Sequence, residues 1–306
     1  MNIYCAGSEH YINQIDRIRQ GFLNIGHNLS NIEKADIIYC NDSSVYSNNY
    51  KEINKTAKLI YNVLDIPPHC IDSDLYDTSR YPNINFPIKN FDPLKLKYDL
   101  QQADVITCIC NEVKWQLESW CNINNANVIY NPVKEVSFLN LTEEQKIKNK
   151  FQKRYKYLYV GRANDPNKRF NLVYDTMIKL NEKSTDLAVV GSENPGWGDY
   201  YGIVDDQTLN LFYNSVDYLF FPSAFKSQGL PALESIITKT IPIVLNDDPT
   251  TQEFWPNIGV EINNIPETLQ SVEWNNKCKQ FIEDNFLLYK TKFNKNQIAQ
   301  NIISLC

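Results

Sequence analysis

The stretch that most constrains the fold runs from Asp217 to Leu245, DYLFFPSAFKSQGLPALESIITKTIPIVL. It opens with an apolar, aromatic run of strand length, Tyr218 to Phe221. Pro222-Ser223 and a loop lead to Gly229. Leu230, Leu233, Ile236 and Ile237 then recur at helical spacing, Thr240 closes the helix, and a second strand runs from Ile241 to Leu245. Strand, glycine turn, helix and strand make a β-α-β unit, which belongs in a parallel sheet. The helix start at Gly229 leaves backbone N–H groups without intrahelical partners and carries the positive end of the helix dipole, which suits a phosphate. Glu234 lies one turn inside the helix and leans towards the same end. A carboxylate there suits a pair of sugar hydroxyls rather than a phosphate.

A second stretch, YLYVGRANDPNKRFNLVYDTMIKL, has a strand ending at Val160-Gly161, then Arg162 and, six residues on, Lys168 at the mouth of a helix. A planar guanidinium and a flexible ammonium together suit a diphosphate, whose charge is spread over several oxygens. In a third stretch, VVGSENPGWGDYYGIVDDQTLNLFYNSVDYLFFPS, the turn Gly202-Ile203-Val204-Asp205-Asp206 precedes a helix carrying Leu209 and Phe212. Asp205 or Asp206 reads there as an N-cap.

The pattern Pro-Ser-x-x-(acid)-x-x-Gly-Leu-x-x-Leu-Glu, present as PSAFKSQGLPALE, resembles the nucleotide-sugar loop of retaining GT-B glycosyltransferases, family 4 in particular. The Gly-Arg…Lys pair resembles the group that neutralises the leaving diphosphate in these enzymes. Two positions depart from the pattern: Lys226 stands for the first of the family's two glutamates, and Arg169 for the usual glycine after the lysine. The resemblance implies an α/β, GT-B architecture, two doubly wound Rossmann-like domains facing a cleft. Residues 1–133 form the acceptor side, with a C-terminal helix 285–306 crossing back, and residues 134–284 bind the donor. It implies catalytic roles for Arg162, Lys168 and Glu234, with Glu234 on the ribose hydroxyls. Donor contacts fall on Gly7, Gly161, Val204 (the base), Lys226, Ser227, Gln228, Gly229 and Leu230, and acceptor-side contacts on Ser8 and His69. The partners are a UDP- or GDP-linked sugar donor and a glycan or other hydroxyl-bearing acceptor, with configuration retained. No cofactor and no metal are expected.

Read in order, the chain alternates strands and helices twice. Asn2 to Ala6, Asp36 to Cys40, Lys58 to Val63, Asp104 to Ile109 and Asn127 to Tyr130 read as strands, with helices from Ile12, at Lys51 to Thr56 and at Glu112 to Trp120. Gly7 ends the first strand, where ligands collect in doubly wound folds. Pro67 to Pro93 holds five prolines and reads as a long functional loop. Thr142 to Lys153 is helix-like. A second series then begins at Tyr157, with strands at Asp186 to Val190, Asp217 to Phe221 and Ile241 to Leu245, helices at Phe170 to Leu180 and Asp206 to Ser215, and two or three more helices after Pro266. The boundary falls near Val133.

Composition narrows the function further. At 306 residues, 43% hydrophobic and 22% charged, the chain is globular and long enough for two cores. A net charge of −6 and a pI near 5.2 disfavour nucleic acid as the main partner. No GxGxxG fingerprint points to a nicotinamide cofactor. Cys5, Cys40, Cys70, Cys108, Cys110, Cys121, Cys278 and Cys306 form no C-x-x-C pair and read as reduced core thiols. With neither a signal peptide nor 18 consecutive apolar residues, a cytoplasmic protein is expected. Of the acidic clusters Asp205-Asp206, Asp247-Asp248 and Asp72-Ser73-Asp74, only the last has Asp-x-Asp spacing, and it lies in the proline-rich loop. His10, His27 and His69 show no zinc or triad spacing. Three other readings stay open: a nucleotide-sugar 2-epimerase, a nucleotide-sugar binder without transfer activity, and a modifier of nucleic-acid bases, as some viral GT-B enzymes are.

Overall fold

The computed structural model describes residues 1–7, 12–41, 48–66, 93–134, 141–142 and 155–306. The chain divides into two compact units. Among the described residues the first holds 1–66, 93–133 and 291–306, and the second 134–290.

The first unit carries β1 (Asn2–Ala6), β2 (Asn28–Leu29), β3 (Ile37–Cys40), β4 (Lys58–Val63), β5 (Val105–Cys108) and β6 (Asn127–Val128). They form one parallel sheet in the order β2-β1-β3-β4-β5-β6, with Ile3 beside Ile37 and Ile37 beside Lys58. Its helices are α1 (Ile12–Asn24), α2 (Tyr50–Ile53), α3 (Pro93–Leu100) and α4 (Asn111–Cys121). All of β3, and all of β4 after Lys58, is buried. An apolar run without alternation is what a parallel strand covered on both faces requires.

The second unit carries β7 (Tyr157–Val160), β8 (Leu187–Val190), β9 (Asp199–Tyr200), β10 (Tyr218–Phe220) and β11 (Ile241–Ile243). Its parallel sheet runs β11-β10-β7-β8-β9. Its helices are α5 (Phe170–Lys179), α6 (Asp206–Ser215), α7 (Leu230–Ile237), α8 (Thr251–Phe254), α9 (Ile265–Gln270) and α10 (Val272–Lys292). The connections from β7 lead outward one way, to β8 and β9, and the chain then returns to place β10 on the other side of β7. The carboxyl ends of β7 and β10 therefore flank the topological switch point, where open α/β sheets bind ligands.

The C-terminal segment differs from the single helix 285–306 expected. The long helix α10 already starts at Val272 and stops at Lys292. Asn294 then caps a separate α11 (Lys295–Ile303), its side chain accepting from Asn296 N at 2.7 Å and Gln297 N at 3.4 Å. An N-capping asparagine restarts a helix and so separates it from the one before. Ile298, Ala299 and Ile302 of α11 share one core with Ile15, Ile18 and Phe22 of α1 and Ile3, Ile37 and Ile60 of the sheet. A β-carbon on Gly21 would stand 2.4 Å from Lys295 O, so only glycine lets α1 and α11 approach this closely.

β2, β9, α3 and α8 were not legible in the sequence, whereas α9, α10 and α11 are the two or three helices read after Pro266. β2 and β9 have two residues each, too few to show a period. The proline-rich loop, the helix-like stretch beyond Thr142, and Asp72 and Asp74 lie outside the described residues. Cys5, Cys40, Cys108, Cys110, Cys121 and Cys278 are buried free thiols and Cys306 an exposed one. Among the described residues no helix is long and apolar enough to cross a membrane.

Candidate functional site

At the end of β7, Gly161 and Gly191 cross so closely that a β-carbon on Gly191 would sit 1.9 Å from Gly161 O. Gly161 N donates to Val190 O at 3.0 Å. Two strand ends without side chains thus leave the carboxyl edge of the sheet open. Arg162 follows, its side chain 64% exposed and its guanidinium 2.6 Å from Asp165 Oδ2. Asp165 also caps the 3₁₀ turn Pro166–Lys168 by accepting from Asn167 N at 2.9 Å. Lys168 is half-buried, with its ammonium 5.8 Å from the centre of the Phe221 ring. Burial pushes its pKa below the ordinary lysine range. The charges of Asp165 and Asp248 oppose that shift, and Arg162 and Lys226 reinforce it. Lys168 is therefore close enough to both Arg162 and Lys226 to feel their charges.

The loop after β10 meets this turn through one side chain. Asn167 Nδ2 donates to Phe225 O at 3.0 Å, Phe225 N donates to Asn167 Oδ1 at 2.9 Å, and Ala224 N donates to Asn167 O at 2.9 Å. Ser223, Ala224, Phe225, Lys226 and Gln228 are buried; Ser227, Gly229 and Leu230 are half-buried. Gly229 ends the loop at φ +67° as the N-cap of α7, with Pro231 in the first turn. A β-carbon there would meet Trp255 Cη2 at 2.8 Å and Lys226 Cδ at 3.0 Å, so shape as well as φ demands glycine.

Glu234, on α7, is 6% exposed and accepts from Tyr213 Oη of α6 at 3.1 Å. Burial, and then the neighbouring carboxylate, raise the Tyr213 pKa well above its ordinary value, which keeps the phenol a donor. The ammonium of Lys226 is directed inward, 3.1 Å from Asp248 Oδ2, in a side chain 2% exposed. Burial pushes Lys226 down and Asp248 up, each opposed by the other's charge.

Gly202, at φ +70°, accepts from Gly191 N at 3.0 Å, which sets the turn containing half-buried Val204 beside the end of β8. Asp205 caps α6, accepting from Thr208 N at 2.7 Å. Gly7 ends β1 in the first unit; Ser8 and His69 lie outside the described residues. Among the described residues no three His, Cys, Asp or Glu side chains converge to hold a metal. Asp247 and Asp248 are engaged by Arg169 and Lys226.

No family model matches the chain. It is similar to an uncharacterised 41.2 kDa protein in the cps region of Klebsiella pneumoniae, 27% identical over 269 residues, which cover 78% of this chain and 69% of that protein. Among solved structures it resembles a sucrose-phosphate synthase from Thermosynechococcus elongatus, with TM-score 0.73 and 13% identity over 100% of this chain and 98% of that one. Anabaena HepE in complex with UDP and glucose matches with TM-score 0.70 and 10% identity, over 99% and 98% of the two chains. WaaG, a glycosyltransferase involved in lipopolysaccharide biosynthesis, matches with TM-score 0.63 and 10% identity, over 100% and 99%. The fold is GT-B.

Within the GT-B fold the expected site residues of the second unit separate by location. Gly161, Arg162 and Lys168 follow β7, while Lys226 to Leu230 and Glu234 follow β10. The Asn167 contacts bring these two groups together. Val204 stands at the neighbouring β8 edge. Sequence reasoning missed Asn167, Tyr213, Asp248 and Trp255. Asp165-Pro166-Asn167 is visible as a turn signal, yet its partner Phe225 lies 58 residues away and only the strand order joins them.

Proposed function

We propose that this chain transfers a hexose from a UDP- or GDP-linked donor to a hydroxyl of a glycan or other small acceptor, with retention and without a metal. The observation that carries the reading is the Asn167 clasp. It joins the loop bearing Arg162 and Lys168 to the loop ending in Gly229, at the switch point of the second sheet. In this reading Arg162 and Lys168, together with the amides of Gly229 and Leu230 at the tip of α7, form the cradle for a diphosphate. Glu234, held by Tyr213, accepts from the ribose hydroxyls, and the turn at Val204 meets the base. HepE, of the same fold, is in complex with UDP and glucose, which is the matching donor chemistry.

In the reaction the bond from the anomeric carbon to the phosphate oxygen breaks, and a bond from the acceptor oxygen to that carbon forms on the same face. The acceptor's proton passes to the departing phosphate oxygen, so no protein nucleophile is consumed. Arg162, Lys168 and the α7 amides stabilise the charge that develops on the diphosphate. Arg162 must first exchange Asp165 for the phosphate, which its exposure permits.

The test is a calorimetric panel of UDP, GDP and ADP, followed by hydrolysis of the matching sugar donor. Charge-assisted hydrogen bonds contribute about 1.5–3 kcal/mol each. Arg162→Ala, Lys168→Ala and Glu234→Ala should therefore each weaken binding or turnover by about tenfold or more. Unchanged rates in all three would overturn the assignment.

A further inference from the structure

Behind the tip of α7 lies a closed ionic cluster. Lys226 and Asp248 are 2% and 0% exposed, and their charged atoms are 3.1 Å apart. The Lys226 ammonium also donates to Thr251 Oγ1 at 3.1 Å and lies 5.2 Å from the centre of the Trp255 ring. Asp248 Oδ1 accepts from Thr250 N at 2.8 Å and Thr250 Oγ1 at 2.7 Å, and Thr251 Oγ1 donates to Leu245 O at 2.6 Å. The preceding carboxylate, Asp247, holds Arg169 at 2.7 Å, with both side chains at most 10% exposed. Arg169 closes the turn after β7, and Lys226 sits in the loop after β10. Two consecutive acids after β11 thus hold one basic residue from each of the two loops.

Burying charge is costly, and a neutral, well-packed substitute is often equally stable, so a buried pair of this kind is better explained by the geometry it imposes. The geometry here is specific. Lys226 Cδ and Trp255 Cη2 are the atoms that a β-carbon on Gly229 would strike. The cluster therefore packs directly against the N-cap of α7. Reaching a donor would require Lys226 to leave Asp248 with a buried, uncompensated charge.

We infer that Asp247 and Asp248 form a paired anchor that fixes the two donor loops through Arg169 and Lys226, making Lys226 a positioning residue rather than a donor ligand. This rests on the donor site proposed above. It follows that the loop offers the donor sugar no ionised side chain at position 226. Discrimination between sugars falls instead to the backbone of 227–230 and to other elements.

The test combines two measurements on the whole chain: amide hydrogen exchange of the free protein, and calorimetric binding of UDP. Lys226→Met should raise exchange in residues 222–233 by about tenfold while leaving α5 unchanged, and should weaken UDP by a similar factor. Adding Asp248→Asn should remove the unpaired buried charge yet leave exchange in 222–233 raised and UDP weakened, because no charged pair then fixes the loop. Asp248→Asn alone should loosen the same segment, which covers the case where Lys226→Met does not fold. Parent-like exchange in both single variants overturns the anchor. A UDP loss in Lys226→Met that comes without altered exchange also overturns it, since that marks Lys226 as a ligand, and so does parent-like exchange in the doubly substituted chain. If the parent binds none of UDP, GDP and ADP, the functional reading fails, while the exchange measurement still decides the anchor.

Discussion

Lys168 is held in two ways that act against each other. Burial disfavours its charge, and a bound diphosphate would favour it. Because its pKa is lowered in the folded state, the unfolded chain binds more protons over the window between the two values. That part of the folding stability therefore rises with pH there. Nucleotide binding has the opposite sign. The proposed site requires the ammonium, so UDP affinity should be full below the depressed pKa and fall as pH rises through it. Lys168→Arg keeps its charge throughout and should flatten the decline. Calorimetric UDP titrations from neutral to alkaline pH check this; the uracil's own titration is common to both proteins, so their difference is the readout. Parallel curves would sink the role given to Lys168. Its neighbour Arg169 explains its own departure from the glycine of the resembled motif. It sits at φ +49°, where a β-carbon costs about 1–2 kcal/mol. The buried pair with Asp247 holds the side chain there against that strain.

Among the elements, the contact that matters most for the site is between two loops. Asn167 gives both its amide groups to Phe225. Asn167→Ala strands a part-buried N–H and C=O, each worth about 1–3 kcal/mol when unpaired. The expected loss is about 2–4 kcal/mol in urea unfolding, with weaker UDP binding. A variant as stable as the parent would show that the clasp does not hold the loops. The elements on either side of this contact were readable beforehand for a plain reason. β7, β8 and β10 are short apolar runs ending at glycine or proline, and α5 and α6 carry their apolar residues at helical spacing. Arg162, Lys168, Gly229 and Glu234 could be picked out as candidates because each sits at a fixed offset from those ends. What joins them was not. Tyr213 is 21 residues from Glu234 and Asn167 is 58 from Phe225, and such pairings follow from strand order, which no local pattern encodes. The inward turn of Lys226 was equally hidden, since its partner Asp248 belongs to the loop after another strand. α10 hid its start because apolar residues also stand off its buried face: Trp274, Cys278, Ile282 and Tyr289 share one side, while Val272, Leu287 and Leu288 are exposed.

At the scale of the molecule, the chain makes one unit, then the second, and finishes in the first. That return depends on α11, whose Ile298, Ala299 and Ile302 complete a core otherwise built from α1 and the first sheet. Lys58 Nζ adds polar ties to this end of the chain, donating to Leu305 O at 2.8 Å and to Cys306 O at 3.1 Å. Ile298 is 1% exposed, so Ile298→Ala combines lost burial with a cavity, a change that costs about 2–5 kcal/mol in well-packed cores. The loss should be local to the first unit, because the residues lining the cavity are those of α1 and the first sheet. Hydrogen exchange should therefore quicken in residues 12–24 and 295–303 by a factor of ten or more, with residues 170–179 and 206–215 keeping parent rates. Ile298→Val, which removes one methyl group, should show a fraction of the effect in the same segments. Uniform quickening across both units would mean that the two cores open together, and the C-terminal helix would then be holding the whole fold rather than the first sheet alone.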